Sequence, residues 1–506
     1  MSRNAKAASK APGRKAGGAL IALFVLYVLL LIYSHRDSLI AFLGDSQDYL
    51  ETSQLPLFSL GFFTRRPFTV PLVYKVLAQN PLAIVFAQLS LHAGCWFFLA
   101  WSAMRAMTSR FMKWGALAAI LGFSLTVPVN LWNLSILSES IANSLTACLV
   151  GLVMLLLGDW PSDSKCESEE GALRCRCLLA LALVVAFFWS FARDTNPYGL
   201  LIVAGLLLVL TSIRRVRGVA SNRLFIGLAA ALLGIAGLQS LLLSYSDRAP
   251  WNYAMSTVIC NRILPVPEYR SFFEDAGMPA GPVIMKFAGK TNEYMENESL
   301  LKPDPSQVDR VFDQWVRERG FATYVSFLLH HPVTGLGWVW NLREELISPK
   351  PRRSWRPPPT VIFQLFQGRR VPLMWMWARG NFNGESGPTL LLTRILFPAW
   401  RGFWFVVLLL GVVSAGTFFL GRRAPVACLP LVLLLISFTQ AFVIGLADCA
   451  EVDRHAIGVA ILIRVAALLS LFNIADELLT AKALGGAVLN LKAFRKAGVW
   501  LSKGGI

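Results

Sequence analysis

Charge is scarce in this chain of 506 residues: Asp, Glu, Lys and Arg make up 15%, against 55% hydrophobic residues. A soluble protein of that length breaks its apolar runs far more often, so a soluble globular class is excluded. No glycine-rich phosphate loop, HExxH pair or GxSxG elbow occurs. Nucleotide-driven pumping and zinc or serine hydrolysis therefore have no positive support. The eight cysteines lack metal-ligand spacing: Cys175 and Cys177 stand two apart, too close for a CxxC clip. Cys260 and Cys449 both fall on the expected outer side, where a disulfide is an open alternative. No internal repeat is present. No small-residue cleavage site follows the first apolar run, GALIALFVLYVLLLIYS, so the run is read as a retained span and not as a signal peptide.

What the chain does have is apolar runs able to cross about 30 Å of hydrocarbon, with a mean hydropathy of +0.54. They place ten spans near 18–34, 81–104, 115–129, 138–158, 177–191, 198–213, 224–243, 402–420, 425–446 and 456–473. The expected fold class is all-α and polytopic, with about ten transmembrane helices and a small, mostly helical outer (periplasmic) domain. The net charge of +18 comes from Lys and Arg lying between apolar runs, where they face anionic lipid; no nucleic-acid motif accompanies them. These basic loops put both termini in the cytoplasm, with basic tails over 1–17 and 475–506. The short loops fit a bacterial inner (plasma) membrane. A module of seven helices (18–243) carries the first outer loop, 35–80. The outer domain spans 244–400, and three further helices fill 401–474. In the outer domain Ser306 and Asp309 resemble a capping box, Val308, Val311, Phe312, Trp315 and Val316 follow a helical period, and Gly320 is the expected stop.

Polar residues near the outer ends of spans are the candidates for chemistry. Asp45 and Asp48, in GDSQDYLE, are three apart and share one helix face just beyond the first span. They suit general-base work at the headgroup plane, or simply an acidic helix start. Arg65 and Arg66 are outward cations, fit to bind a phosphate or to snorkel. Glu139 opens the fourth span inside the outer half of the membrane, where an acid is functional by default. Arg193 and Asp194 lie in the turn between two spans of about 15 residues, a shortness that sets the turn below the outer surface in a polar cavity. Arg454 and His455, before the tenth span, suit a phosphate or a helix anchor. Arg464, inside that span, needs a partner or a wet cavity. His331 closes the apolar run of the outer domain, and His92 reads as a packing residue.

The acidic GDSQDYL after the first span, the RRPFTVPLVYKVL stretch, the Arg-containing turn and the long loop after the seventh span together resemble the GT-C superfamily of membrane glycosyltransferases. Within it they are most similar to the branch of protein O-mannosyltransferases and the aminoarabinose transferase. The resemblance implies a GT-C-like fold and a sugar donor on polyprenyl phosphate. It implies an acceptor glycan, lipid or protein, with Asp45 or Asp48 as catalytic base. Arg65, Arg66, Arg193 and Arg454 would bind substrate, with Glu139, Asp194, His331 and His455 beside them. No cofactor is implied with certainty; some members use a divalent metal. DSQD departs from the adjacent Asp-Glu of the mannosyltransferases, which leaves the choice of base and the acceptor open. An O-antigen polymerase or ligase, or a lipid-linked glycan transporter, are the alternatives.

Overall fold

The computed structural model describes residues 14–35, 40, 44–158, 169–216, 223–245, 250–289, 310–347, 387–397, 402–420, 424–449 and 452–483. Among them every regular element is a helix. Residues 1–13 and 484–506 of the expected tails, the Ser306–Asp309 cap and the Pro-rich and Trp-rich stretches after residue 350 lie outside the described residues, while 14–17 and 475–483 belong to the first and last long helices. Seven helices are long and apolar enough to cross a membrane, so the chain is a multi-pass membrane protein.

Each of the ten expected positions holds a helix. These are α1 (Arg14–Ser34), α5 (Pro81–Ala106), α6 (Arg110–Ser124), α8 (Glu139–Gly158), α9 (Glu169–Ser190), α10 (Asn196–Val216), α11 (Arg223–Ser244), α20 (Phe403–Leu420), α21 (Ala424–Ala447) and α23 (Ile457–Ala483). Between α1 and α5 the first loop folds as α2 (Gly44–Gln54), α3 (Leu60–Thr64) and α4 (Thr69–Val76). The start of α5 is set locally: Asn80 Oδ1 accepts from the Leu82 and Ala83 amides, and Pro81 stands in the first turn.

Two expectations about spans are corrected. Helices α9 and α10 run 22 and 21 residues, not about 15. Their polar ends, with Arg174 and Arg176 in α9 and Arg214 and Arg215 in α10, continue the backbone hydrogen bonding past the apolar stretch. The shortness argument for the Arg193 turn therefore fails. The third span is not one rod. It breaks after Ser124 by 62° into Val127–Leu134, which starts as α7 (Val127–Asn130) with Pro128 in its first turn. There the Val127 amide donates to Thr393 Oγ1 at 2.9 Å in place of a helical carbonyl.

The central helices approach closely where small residues allow it, as membrane bundles require. A Cβ on Gly151 of α8 would stand 2.8 Å from Phe98 and 3.3 Å from the Leu99 Cα of α5. At the opposite end of α5 from the first loop, Asp476 of α23 accepts from the amides of Thr108 and Ser109 and from the Thr108 hydroxyl, at 2.7–2.8 Å. That carboxylate caps the entry to α6, and the sequence reading did not single it out. Arg464 finds one partner in its own span and two outside it: it donates to the carbonyls of Ala460 and Ile347 and lies over the Phe397 ring at 3.7 Å.

The segment from Pro250 to Ile347, expected as part of an outer domain, has a core of its own, built from Ile259, Cys260, Phe273, Phe312, Trp315 and Phe327 among others. Its helices are α12 (Pro250–Val258), α13 (Pro267–Asp275), α14 (Pro282–Met285), α15 (Arg310–Trp315), α16 (Phe321–His330), α17 (Pro332–Asn341) and α18 (Arg343–Ile347). Gly320 does not stop its helix. The chain passes through it in helical conformation, because the missing side chain lets this turn lie against Met255. Cys260 and Cys449 are not joined to each other by a disulfide. One part of the 244–400 segment belongs to the bundle: α19 (Gly387–Leu396) sets Leu392 and Leu396 against Gly122 of α6.

Candidate active site

The first loop folds back on itself because its acids and bases are complementary at short range. Asp45 and Asp48, one turn apart on α2, face the pair Arg65–Arg66 that follows α3. Arg66 Nη2 donates to Asp45 Oδ1 at 2.8 Å and to Asp48 Oδ2 at 2.7 Å. Arg65 donates to Asp48 Oδ1 at 3.3 Å and also to Glu51. The Arg66 guanidinium stands 5.4 Å from the centre of the Tyr49 ring, and burial pushes the Tyr49 hydroxyl up to about 12. Thr69 then ties the loop to the bundle: its amide and hydroxyl donate to the carbonyls of Phe191 and Phe188 at 3.1 and 2.8 Å.

Three further segments meet this loop. The short helix α22 (Val452–His455) brings Arg454, 4% exposed, whose Nη2 donates to Asp45 Oδ2. Glu139, 1% exposed at the start of α8, accepts the charge of two arginines: Arg454 Nε at 3.3 Å and Arg193 Nη2 at 3.5 Å. His455 accepts from Arg454 at Nε2 (3.1 Å), and its Nδ1 donates to Asp448 Oδ2 at 2.6 Å. Asp45, Asp48, Glu139, Arg65, Arg66, Arg193, Arg454 and His455 thus form one linked cluster.

The turn holding Arg193 and Asp194 is built into the bundle by polar side chains. Gln239 Nε2 donates to the Arg193 carbonyl at 3.2 Å, Gln440 Nε2 to the Thr195 carbonyl at 3.3 Å, and Asn196 Nδ2 to the Trp189 carbonyl at 2.6 Å. A buried backbone turn needs such partners, because its polar groups are cut off from solvent. Neither Gln239 nor Gln440 was legible as part of the site, since a lone Gln in an apolar run carries no positional signal.

The acids of the cluster are shifted in opposite directions. Burial works to raise the Asp45 carboxyl, but Arg454 and Arg66 outweigh it and hold the group well below the usual carboxylate range. The Asp194 carboxyl is pushed up: burial outweighs the attraction of Arg66, His455 and Arg193, and the Asp45 charge adds to the rise. Its Oδ1 is buried with no hydrogen-bond partner. Asn143 Nδ2, on the same helix as Glu139, is likewise buried without one. Arg65 Nε is a further buried donor without a partner, so unmatched donors and an unmatched acceptor stand beside a band of guanidinium groups.

His331 is not brought to this cluster. It ends α16, and its ring packs on Phe327 at 4.7 Å and against Phe272 and Tyr269 in the outer core. A cavity of about 330 Å³ is lined by Asn261, Arg262, Trp338, Asn341 and Glu345 on one side and by Cys449 and Val452 on the other. Arg262 closes the end of α21 by donating to the carbonyls of Gly445, Leu446 and Asp448 at 2.8–3.1 Å. Asp448 joins this cavity to His455 and the cluster, and the sequence reading passed over it. Among the described residues no three His, Cys, Asp or Glu side chains gather as metal ligands. The carboxylates of Asp45, Asp48 and Glu139 each face arginine.

No family model matches the chain, and no curated protein matches it. Its structure is similar to the crystal structure of the Archaeoglobus fulgidus oligosaccharyltransferase tethered by a disulfide bond to an acceptor peptide containing the NVT sequon. The identity is 12% and the TM-score 0.41, with 93% of this chain and 51% of that chain covered. The chain thus spans about half the length of that protein, and the likeness is too low to establish a shared fold.

Proposed function

We propose that the chain is a GT-C-like glycosyltransferase that moves a sugar from a polyprenyl phosphate to an acceptor hydroxyl on a glycan, lipid or protein, at the outer face of the inner membrane. The observation that supports this reading is Asp45 held between Arg66 and Arg454, at a cluster built from the first loop, α8, the Arg193 turn and α22. In the resting protein the two arginines neutralise Asp45. An arriving lipid phosphate competes for the same guanidinium groups by charge-assisted hydrogen bonds. Asp45 then loses its cations, its pKa rises, and it becomes a competent base.

The acceptor hydroxyl gives its proton to Asp45 while its oxygen bonds to the anomeric carbon. The bond from that carbon to the phosphate oxygen breaks, and the released phosphate keeps its charge against Arg66, Arg454 and Arg193. Asp194 Oδ1 and Asn143 Nδ2, both unmatched, are placed to accept from and donate to a substrate hydroxyl. His455 acts on Arg454, fixing its guanidinium from the far side with Asp448 behind it.

The test has two arms. Membrane lipids from a deletion strain should accumulate a polyprenyl-phosphate sugar; no such accumulation overturns the donor class. With that lipid as substrate, Asp45→Asn should lower kcat by about 10²–10⁴, and unchanged turnover would remove Asp45 as the base.

A further inference from the structure

Helices α16 and α17 form a hairpin that turns at His331–Pro332, and one stripe of both is apolar and outward. Phe321, Val325 and Leu329 recur at i, i+4 and i+8 along α16; Val333, Leu336 and Trp340 recur at i, i+3 and i+7 along α17. All six are exposed, from 39% at Val325 to 80% at Val333. The other side of the hairpin does the packing. Tyr324 and Phe327 are buried in the outer core. A Cβ on Gly335 would stand 3.5 Å from Leu446, and one on Gly445 would stand 3.1 Å from Val339. A contiguous exposed apolar patch on this scale marks a surface with a partner.

The identity of that partner follows from where the hairpin is attached. Leu435 and Phe442 are exposed large apolar residues of α21, seven apart on one face, which is the face a spanning helix turns to lipid tails. Leu446 continues that face one turn on, and it is Leu446 that meets Gly335. The hairpin therefore joins the bundle at the outer end of a lipid-facing stripe. Just past it, Arg343 lies 4.6 Å from the centre of the Trp340 ring; Trp and Arg are the residue types that anchor at headgroup level. His330 shares the hairpin tip, with its Nδ1 bonded to the Ser326 carbonyl at 2.7 Å, a polar end that keeps the hairpin in the interface and out of the bilayer centre.

We infer that α16 and α17 lie on the outer leaflet as an interfacial hairpin, with the Phe321–Trp340 stripe sunk about 5–10 Å into the headgroup–acyl boundary. The occupant of this surface is lipid, and not a second copy of the chain. The opposite side of α17 supplies Trp338 and Asn341 to the cavity beside Asp448, so that cavity opens at headgroup depth, where the polar end of a lipid-borne molecule lies.

The test places a nitroxide at Leu329→Cys or Val333→Cys, in a chain whose eight native cysteines are replaced, in phosphatidylcholine–phosphatidylglycerol nanodiscs. Collision with oxygen should dominate collision with a nickel chelate at both positions, and the order should reverse at Glu268→Cys on α13. Nickel dominating at 329 and 333 overturns the inference, because the stripe then faces water. Access by neither reagent also overturns it, because protein then covers the stripe. If the cysteine-free chain does not fold, the native chain and Trp340→Phe are compared for quenching by dibrominated lipids. The native chain should show a quenched component that the variant loses; equal quenching in the two overturns the inference.

Discussion

His35 stands half-buried at the end of α1, and desolvation lowers its pKa to about 4 against the favourable bond to Asn130. Its Nε2 donates to Asn130 Oδ1 at 2.7 Å, which also accepts from Asn133 Nδ2 at 2.9 Å. Asn133 Oδ1 in turn accepts from Ser140 at 2.7 Å, beside Glu139. A neutral imidazole thus closes a chain of amides that leads to the start of α8 beside Glu139. The sign of its linkage follows directly. The unfolded chain binds a proton near pH 6.5 and the folded one only near 4, so His35 contributes stability that is fully present above about pH 6.5 and lost as pH falls towards 4. The thermal midpoint should drop between pH 7 and pH 5. His35→Gln keeps a donor for Asn130 and carries no titrating group, so its drop should be shallower. Parallel profiles for the two proteins would show that His35 does not titrate in this way.

The helices hold the site through their closest contacts, and α8 shows how tightly. Gly151 packs against both a side chain and a backbone atom of α5, so Gly151→Val forces the two helices apart at a cost of about 1–3 kcal/mol. Since α8 carries Glu139 at its outer end, turnover should fall together with the thermal midpoint. Gly205→Val in α10, where nothing lies within 4 Å of the added Cβ, should change neither; equal losses in both variants would refute the packing argument. The positions of all these helices were legible from apolar runs alone, because hydrocarbon demands continuous apolarity. Their ends were not. Helical hydrogen bonding does not stop where charge begins, so α9 extends through Arg174 and Arg176. A buried contact with Met255 carries the helix through Gly320, and Pro128 with Thr393 turns the third span. Of the site, the acids and arginines near span ends were legible by residue type. Gln239 and Gln440 were not, because each acts only on a backbone carbonyl far away in the chain, and Asp448 was not, because its link to the cluster runs through His455.

Across the whole molecule, the decisive contacts join the two ends of the sequence. Asp45 and Arg454 are 409 residues apart, and Arg454 also faces Glu139 at 3.3 Å. The first loop and the last span are thus locked through one guanidinium, with a low-dielectric surround that strengthens the pair and makes an unpaired member costly. Arg454→Gln should destabilise the protein, because Glu139 keeps only Arg193 and Asp45 only Arg66. Asp45→Asn should destabilise it as well, by leaving two arginines less well matched. Since each single change already removes their mutual contact, the double variant should lose less than the sum, with a coupling of about 0.5–3 kcal/mol. Losses that add to within about 0.3–0.5 kcal/mol, measured by thermal or denaturant unfolding in one detergent, would mean that the two residues do not share an interaction. The arginine cluster would then be a set of separate surface pairs and not a closed site.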